Sequence, residues 1–287
     1  MKTTRIMLTV VMLMAAIVLV AGAAPASAST VTLQAGVGGQ PSEIIQEAMT
    51  VQQNVNDNFG GRGNIEVGVL NNGGVRTTVM RFDVADSSVG LYIAGVPQFQ
   101  SIDGITLTLT TAGNSHNSQN MSLRVAAGTE SQGDWVEGTG TSASNPNTGS
   151  EADIGQITYS ERREGQSTPW QPNTNYHRGA GDGELGRLTT WPGTNTAFDI
   201  DLSPLAGESL SDLVTRWVTG NNEGVLLNDI NRSGFARWFM HSSESPTLSA
   251  RPMLTIEYTP IPEPATMCAL GLAVAGLGGY VRKRKRG

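Results

Sequence analysis

The stretch ITLTLTT, residues 105–111, decides the fold. In it Ile105, Leu107 and Leu109 alternate with threonines, and successive side chains of a β-strand point to opposite faces. One face of this segment is therefore apolar and the other is polar. We predict a strand that packs its apolar face against a core and belongs to an all-β protein.

Similar segments lie on both sides of this strand. In TTVMRFDV, residues 77–84, Met80, Phe82 and Val84 share one face. The preceding NNGG supplies the positive φ angles that a tight hairpin requires. The other predicted strands are residues 65–70, which we expect to come first in the chain, 121–126, 224–227 and 252–258.

One segment has a helical period instead. In SLSDLVTRWVTG, residues 209–220, the apolar side chains recur at positions i, i+3, i+4 and i+7. We predict one short helix, capped by Ser209 or Ser211 and ended by Gly220. The tryptophans predicted to lie in the core are Trp135, Trp217 and Trp238.

The composition limits the class of protein. Residues 29–260 contain 24 acidic residues, 12 arginines and no lysine, for a net charge of −12. A nucleic-acid-binding protein needs the opposite sign, which argues against that class. The only cysteine is Cys268, so residues 29–260 form no disulfide. We predict one domain there, with a Gly- and Asn-rich segment at 138–195 that is long enough to hold an extra strand.

The N-terminus has the features of a secretory signal peptide. Lys2 and Arg5 precede an apolar run over residues 6–24, and the small residues before Ser29 end with Ala28. We predict a signal peptide over residues 1–28, cleaved between Ala28 and Ser29. The alternative is a membrane anchor that stays uncleaved.

The C-terminus has the features of a transmembrane helix. Residues 265–281 carry no charge, and as a helix they would be about 25 Å long, close to the thickness of a hydrocarbon core. Residues 282–286 are all basic, which predicts that this end stays in the cytoplasm. The domain before the helix would then lie outside, so we predict export.

Pro262, Glu263 and Pro264 stand directly before this helix. The tripeptide, the apolar segment and the basic end over residues 261–287 together resemble the PEP-CTERM sorting signal. The resemblance implies a membrane protease of the exosortase type as partner, a transient stay in the inner membrane, and delivery to the cell surface or the extracellular space. A plain membrane anchor is the alternative.

The remaining segments resemble the DNRLRE domain, also called a disaggregatase-related repeat, of surface proteins. The segments that carry the resemblance are FGGRGNIEVGVLNNGGVRTTVMRFDV, GDWVEG, FDIDLSPL, DLVTRWVTGNNEGVLL and FARWFMHSSESPTLSARPMLTIEYTP. The resemblance implies a jelly-roll β-sandwich over residues 29–260. Some relatives bind alginate-like polysaccharides, and others have no known ligand.

No set of residues in the sequence predicts catalysis. His116, His177 and His241 lie in polar surroundings without metal-binding or nucleophile spacing. Asp199 and Asp201 could serve a polysaccharide-cleaving enzyme, a lyase or a hydrolase, which is the alternative function. Closeness along the chain is poor evidence for a catalytic pair, because catalytic groups converge in space, so we predict no catalytic residue and no enzyme.

Glycan binding requires exposed aromatic rings beside polar or cationic groups. Trp170, Tyr176 and Trp191 lie in the Gly- and Pro-rich segment, and Arg178 lies among them. These four are the predicted glycan-binding residues. The alternative is that the tryptophans pack over one end of the sheets.

Two clusters of oxygen-bearing side chains are candidate ligands for a structural calcium ion. Asp229 with Asn231, and Asn56 with Asp57 and Asn58, are the clusters concerned. Neither matches a calcium-loop pattern, and turn chemistry explains both, so we assign no metal and no cofactor. The function predicted from the sequence is a structural or adhesive role with extracellular polysaccharide.

Overall fold

The computed structural model describes residues 27–52, 57–70, 74–113, 121–127, 135–138, 150–152, 156, 183–219, 222, 224–229 and 235–261. The chain divides into two compact units. Residues 30–258 form the larger unit, which contains the sheets and the core. Residues 1–29 and 259–287 form the other unit, of which residues 27–29 and 259–261 are described.

The described residues are mostly β-strands, with one α-helix. In chain order the elements are β1 Ser29–Gln34, β2 Ile45–Val51, β3 Asp57–Asn58, β4 Asn64–Val69, β5 Val75–Phe82, β6 Tyr92–Ile93, β7 Val96–Pro97, β8 Phe99–Thr110, β9 Leu123–Ala127, β10 Ser150–Glu151, β11 Glu184–Leu188, β12 Ala197–Asp201, α1 Leu210–Thr219, β13 Val225–Asp229, β14 Ala236–His241 and β15 Met253–Pro260.

Two sheets account for most of these strands. The first has the order β1-β15-β8-β12. The second has the order β11-β9-β13-β5-β4-β14, with β2 paired to β5. The predicted strand at 105–111 lies almost entirely within β8, where Ile105, Leu107 and Leu109 are buried as expected.

The main core contains side chains from both sheets. Leu107 and Leu254 contribute from the first sheet, and Val67, Phe82 and Trp238 contribute from the second. All five are buried. The apolar faces that the alternation predicts therefore converge on a common core, as the hydrophobic effect requires.

Helix α1 confirms the helical prediction. Leu213, Val214 and Trp217 are its buried face, and the Trp217 ring lies 5.4 Å from that of Phe82. The Ser209 hydroxyl accepts a hydrogen bond from the Asp212 backbone N–H at 3.1 Å, while the Asp212 carboxylate accepts the Ser209 N–H at 2.8 Å. This reciprocal pair is a capping box, which fixes where the helix begins.

Three strands precede the segment that was expected to come first. The largest of them is β2, IQEAMTV, in which every residue except Gln46 is buried. A strand covered on both faces shows no alternation of apolar and polar residues, and Glu47 interrupts its apolar run. A search for period-2 alternation therefore does not detect β2. Within residues 138–195, for which the sequence predicts an extra strand, the structure describes β10 and β11.

Trp135 is buried as predicted, but not in the main core. It belongs to a second cluster with Ala48, Val79, Ala126 and Leu226. Val79 and Leu226 alternate with main-core residues of their strands, so this cluster lies on the opposite face of the second sheet. The segment that carries Trp135 approaches β3 closely at Gly138. Glycine is required at this position, because a Cβ would overlap the Asn58 side chain.

The predicted signal peptide and transmembrane helix lie almost wholly outside the described residues. Ala28 is described and exposed, and Ser29 is the first residue of β1. Cleavage between them would leave β1 intact. Among the described residues, no helix is both long and apolar enough to span a membrane.

Candidate functional site

Of the four predicted glycan-binding residues, only Trp191 lies among the described residues. It is half-buried, and its ring meets that of Trp238 edge-on at 5.2 Å. Trp238 is fully buried. Part of the Trp191 ring therefore contributes to core packing, while the rest of the side chain stays exposed. Trp170, Tyr176 and Arg178 lie outside the described residues, and their role remains a prediction.

The aspartates and the histidine considered for catalysis that are described form hydrogen bonds to neighbouring threonine and serine hydroxyls. Asp199 accepts a hydrogen bond from the Thr108 hydroxyl at 2.6 Å, and Asp201 accepts one from Thr106 at 2.9 Å. These cross-strand pairs join β12 to β8. His241 lies 3.0 Å from the Ser245 hydroxyl, and burial lowers its pKa. His116 and His177 lie outside the described residues.

Two members of the oxygen clusters considered for calcium, Asn58 and Asp229, accept hydrogen bonds from backbone N–H groups. The Asn58 side-chain oxygen accepts the Gly60 N–H at 2.9 Å, and the Asp229 carboxylate accepts the Ser122 N–H at 3.3 Å. Within the described residues, no group of three His, Cys, Asp or Glu side chains could hold a metal ion. Asn56 and Asn231 lie outside them.

The strongest candidate site is built on the last strand of the second sheet. Along β14 the residues Ala236, Trp238 and Met240 are buried in the core. Alternation therefore turns the intervening side chains to the other face, where they are half-buried. We call this set, together with the residue before the strand, the β14 outer face: Phe235, Arg237, Phe239 and His241.

Antiparallel pairing places a carboxylate beside this face. Phe239 pairs with Glu66 of β4, and Arg237 pairs with Gly68. Gly68 has a φ of 135° and lies so close to Ala236 that a Cβ would overlap its carbonyl oxygen. A larger residue at this position would separate the two strands, so the glycine keeps Glu66 next to β14.

Three arginines approach Glu66, which is completely buried. Arg76, also fully buried, donates from Nη1 to Glu66 Oε2. Arg237 Nη1 lies 3.4 Å from the same oxygen, and Arg62 Nη1 lies 3.8 Å from Oε1. We call Arg62, Arg76 and Arg237 the arginine cluster.

Burial and mutual repulsion shape the charge of this cluster. Burial, together with the charges of Arg237 and Arg62, lowers the pKa of Arg76 to about 9. Burial also lowers the pKa of Arg62 and of Arg237. At neutral pH the cluster remains cationic, so a positive region stands on a domain whose net charge is strongly negative.

Aromatic rings flank the arginines. The Arg237 guanidinium lies 4.7 Å from the centre of the Phe239 ring and 5.5 Å from that of Phe235. The Arg62 guanidinium lies 5.9 Å from the Phe59 ring. These distances are within the range in which a cation is attracted to the face of an aromatic ring. Cationic forks beside apolar rings can bind an anionic group together with the apolar surface next to it.

A polar cleft of about 320 Å³ lies elsewhere, lined in part by Arg81, Trp217 and Asn222. This volume is at the low end for ligand sites. Arg81 donates to Gln46 Oε1 at 2.7 Å and to the Trp135 carbonyl oxygen at 2.9 Å. Its donors are therefore used to hold the Trp135 segment, which makes the cleft a weaker candidate than the arginine cluster.

The sequence itself contains two signals for this site. In FARWFMH, Phe235, Arg237, Phe239 and His241 recur with period two, which is typical of a strand that presents aromatic and cationic groups on one face. Glu66 is an isolated charge in the apolar strand IEVGV. The meeting of these two segments depends on the sheet register.

Comparison with protein families identifies the C-terminal segment. Residues 260–285 match the PEP-CTERM protein-sorting motif, and Pro262, Glu263 and Pro264 lie within the match. A search of curated proteins finds no match to the chain. The motif implies an exosortase-type processing partner and indicates export and sorting to the cell envelope. The motif indicates an exosortase-sorted, exported surface protein, and the described part of the chain is mostly β-sheet.

Proposed function

We propose that this protein is a non-enzymatic, structural or adhesive component of the extracellular matrix that associates with polysaccharide. The observation that carries the proposal is the sorting motif at residues 260–285, which directly follows the last strand of a β-sheet domain at Pro260. A domain delivered to the envelope meets the polymers that surround the cell.

The proposed route has two processing steps. The signal peptide, residues 1–28, is cleaved between Ala28 and Ser29. Residues 265–281 then hold the chain in the inner membrane, until the exosortase-type protease acts at the Pro262–Glu263–Pro264 motif. The apolar character of residues 265–281 and the basic end that follows support this order.

We further propose that residues 29–260 form a DNRLRE domain with jelly-roll connectivity. The segments that carry this resemblance include β4 and β5, α1, and β14 with β15. Two sheets around a common core are compatible with the proposal. We propose no cofactor; a structural calcium ion would be revealed by a lower melting temperature after chelation and dialysis.

Polysaccharide cleavage is the alternative function. Glu47 and Glu137 have raised pKa values, a property of general acids. Glu47 is completely buried, however, so a glycosidic oxygen cannot reach it. An assay for new reducing ends or unsaturated products on uronic-acid polymers separates the two functions, and product formation would replace our proposal by the enzymatic one.

Affinity electrophoresis tests the proposed association. The exported chain is run through gels with and without acidic or neutral polysaccharide, and we expect slower migration in at least one polymer. Trp170→Ala and Trp191→Ala variants test the predicted glycan-binding residues. Because Trp191 also packs against Trp238, its variant needs a matched melting temperature before its mobility is interpreted. Unchanged mobility of the wild type in every polymer would refute polysaccharide association.

A further inference from the structure

Arg237 has unused hydrogen-bonding capacity. A guanidinium presents five N–H donors in a planar fork. Its contact with Glu66 Oε2, at 3.4 Å, is shared with the closer Arg76. Arg237 Nε is buried and has no hydrogen-bond partner among the described residues. An arginine held in this way is poorly satisfied by Glu66 alone, because a buried donor without an acceptor is unfavourable.

Arg237 is also accessible. Its side chain keeps 21% of its surface exposed, whereas that of Arg76 keeps none. The half-buried rings of Phe235 and Phe239 lie on both sides of it along the β14 outer face. A ligand approaching this face therefore meets a cationic fork between two apolar surfaces, with further positive charge from Arg62 and Arg76 behind it.

We propose that the β14 outer face binds an oxyanion at Arg237, namely a carboxylate, sulfate or phosphate group. The oxyanion accepts hydrogen bonds from the guanidinium, and the flanking rings contact the apolar part of the molecule that carries it. The inference rests on the proposed function for the source of the oxyanion, which is an acidic group of an extracellular polysaccharide. A free inorganic oxyanion offers the same chemistry and is distinguished by experiment.

Two measurements on the full chain test the site. Isothermal titration with sodium sulfate, sodium phosphate and sodium glucuronate, at an ionic strength kept constant with sodium chloride, measures binding of small oxyanions. Affinity electrophoresis in polygalacturonate, dextran sulfate and neutral dextran measures binding of polymers. We expect binding to at least one small oxyanion and to at least one acidic polymer, with no retardation in neutral dextran.

Variants with the same change of charge locate the site. Arg237→Gln is compared with Arg187→Gln, because Arg187 is exposed on β11 of the same sheet and bonds Glu184. We expect Kd to rise at least tenfold in Arg237→Gln and to stay unchanged in Arg187→Gln. Arg237→Lys keeps the charge without the planar fork, so its Kd should lie between those of the wild type and Arg237→Gln.

Each outcome supports or overturns the inference. Equal weakening by Arg237→Gln and Arg187→Gln would mean that only net charge matters, and the site would be refuted. If Arg237→Gln does not fold, Arg237→Lys and Phe239→Leu decide instead, and wild-type affinity in both would refute the site. Small oxyanions bound through Arg237 without any polymer would support the site and refute polysaccharide association. Polymer bound equally by the wild type and Arg237→Gln would support association and refute the site, and no binding of any kind would refute both.

Discussion

Replacing Glu47 by glutamine should stabilise the protein at neutral pH. Glu47 lies in the middle of β2 and is completely buried. Its Oε1 accepts the Ser243 N–H at 2.5 Å, and its own backbone N–H donates to Glu137 Oε1 at 3.1 Å. Glu47 Oε2 has no partner among the described residues. The Ser243 N–H and the charge of Arg251 therefore compensate only part of the cost of burying a negative charge at this carboxyl group.

The pKa values give the sign of the effect. Burial raises the pKa of Glu47 from 4.5 to about 8, and burial together with the charge of Glu47 raises that of Glu137 to about 9. In the unfolded chain Glu47 ionises above pH 4.5, whereas in the folded chain it stays protonated up to about pH 8. The stability of the protonated fold is therefore fully present below pH 4.5 and is lost as the pH rises towards 8.

The magnitude follows from the same values. A pH of 7 lies about two and a half units above the pKa of Glu47 in the unfolded chain. Each unit corresponds to about 1.4 kcal/mol of free energy between the folded and unfolded states. Ionisation of Glu47 thus lowers the free energy of unfolding by up to about 3 kcal/mol. Glutamine has the same shape and keeps an acceptor for the Ser243 N–H, but it does not ionise. Glu47→Gln should match the wild type at pH 4 and exceed it by up to about 3 kcal/mol at pH 7.

Urea unfolding followed by tryptophan fluorescence, repeated from pH 4 to pH 8, measures this difference. Glu43→Gln is the matched control, because Glu43 is exposed and precedes β2. The Ser42 hydroxyl donates to the Glu43 carboxylate and lowers its pKa, so this variant should lack a stabilisation that grows with pH. A Glu47→Gln protein that is less stable than the wild type at pH 7, by as much as at pH 4, would refute a protonated Glu47. A deficit that grows from pH 4 to pH 7 would show instead that the fold needs the charge of Glu47.

Three further predictions concern packing, capping and sorting. Trp135→Ala should lower the free energy of unfolding by about 3 to 5 kcal/mol in urea titrations, since it removes the large ring of a buried cluster; a loss below about 1 kcal/mol would contradict that role. Ser209→Ala should cost about 1 kcal/mol in the same assay, because it removes the cap of α1, and an unchanged value would show that the cap is dispensable. Replacing Pro262, Glu263 and Pro264 by alanine should leave uncleaved chain in the membrane fraction on immunoblots, and normal processing of this variant would argue against recognition of the tripeptide.

Local sequence patterns predicted much of the fold. The alternation in residues 105–111 predicted the buried face of β8, and the helical period predicted α1 with its buried Trp217. Both patterns arise from the geometry of a single element, so they can be read without knowing its neighbours. The strand β2 escaped this reasoning because it is buried on both faces and carries Glu47 in its interior.

Local sequence patterns could not predict which polar side chains meet in clusters. Glu66 and Arg237 are separated by 171 positions in the chain and meet because β4 pairs with β14. Glu47 meets Glu137 across 90 positions. A sequence pattern shows that such a residue is charged, but the register of distant strands decides which charge it faces and how much water surrounds it.

The β-sheet class, the helix and the sorting motif at residues 260–285 follow from the sequence alone, because the pattern of each lies in consecutive residues. The tertiary structure adds that three arginines surround Glu66, that Trp135 packs on the opposite face of the second sheet, and that Glu47 is buried where desolvation outweighs the attraction of Arg251. The physical reason is that periodicity is set within one element, whereas burial and electrostatic environment are set by the elements that pack around it.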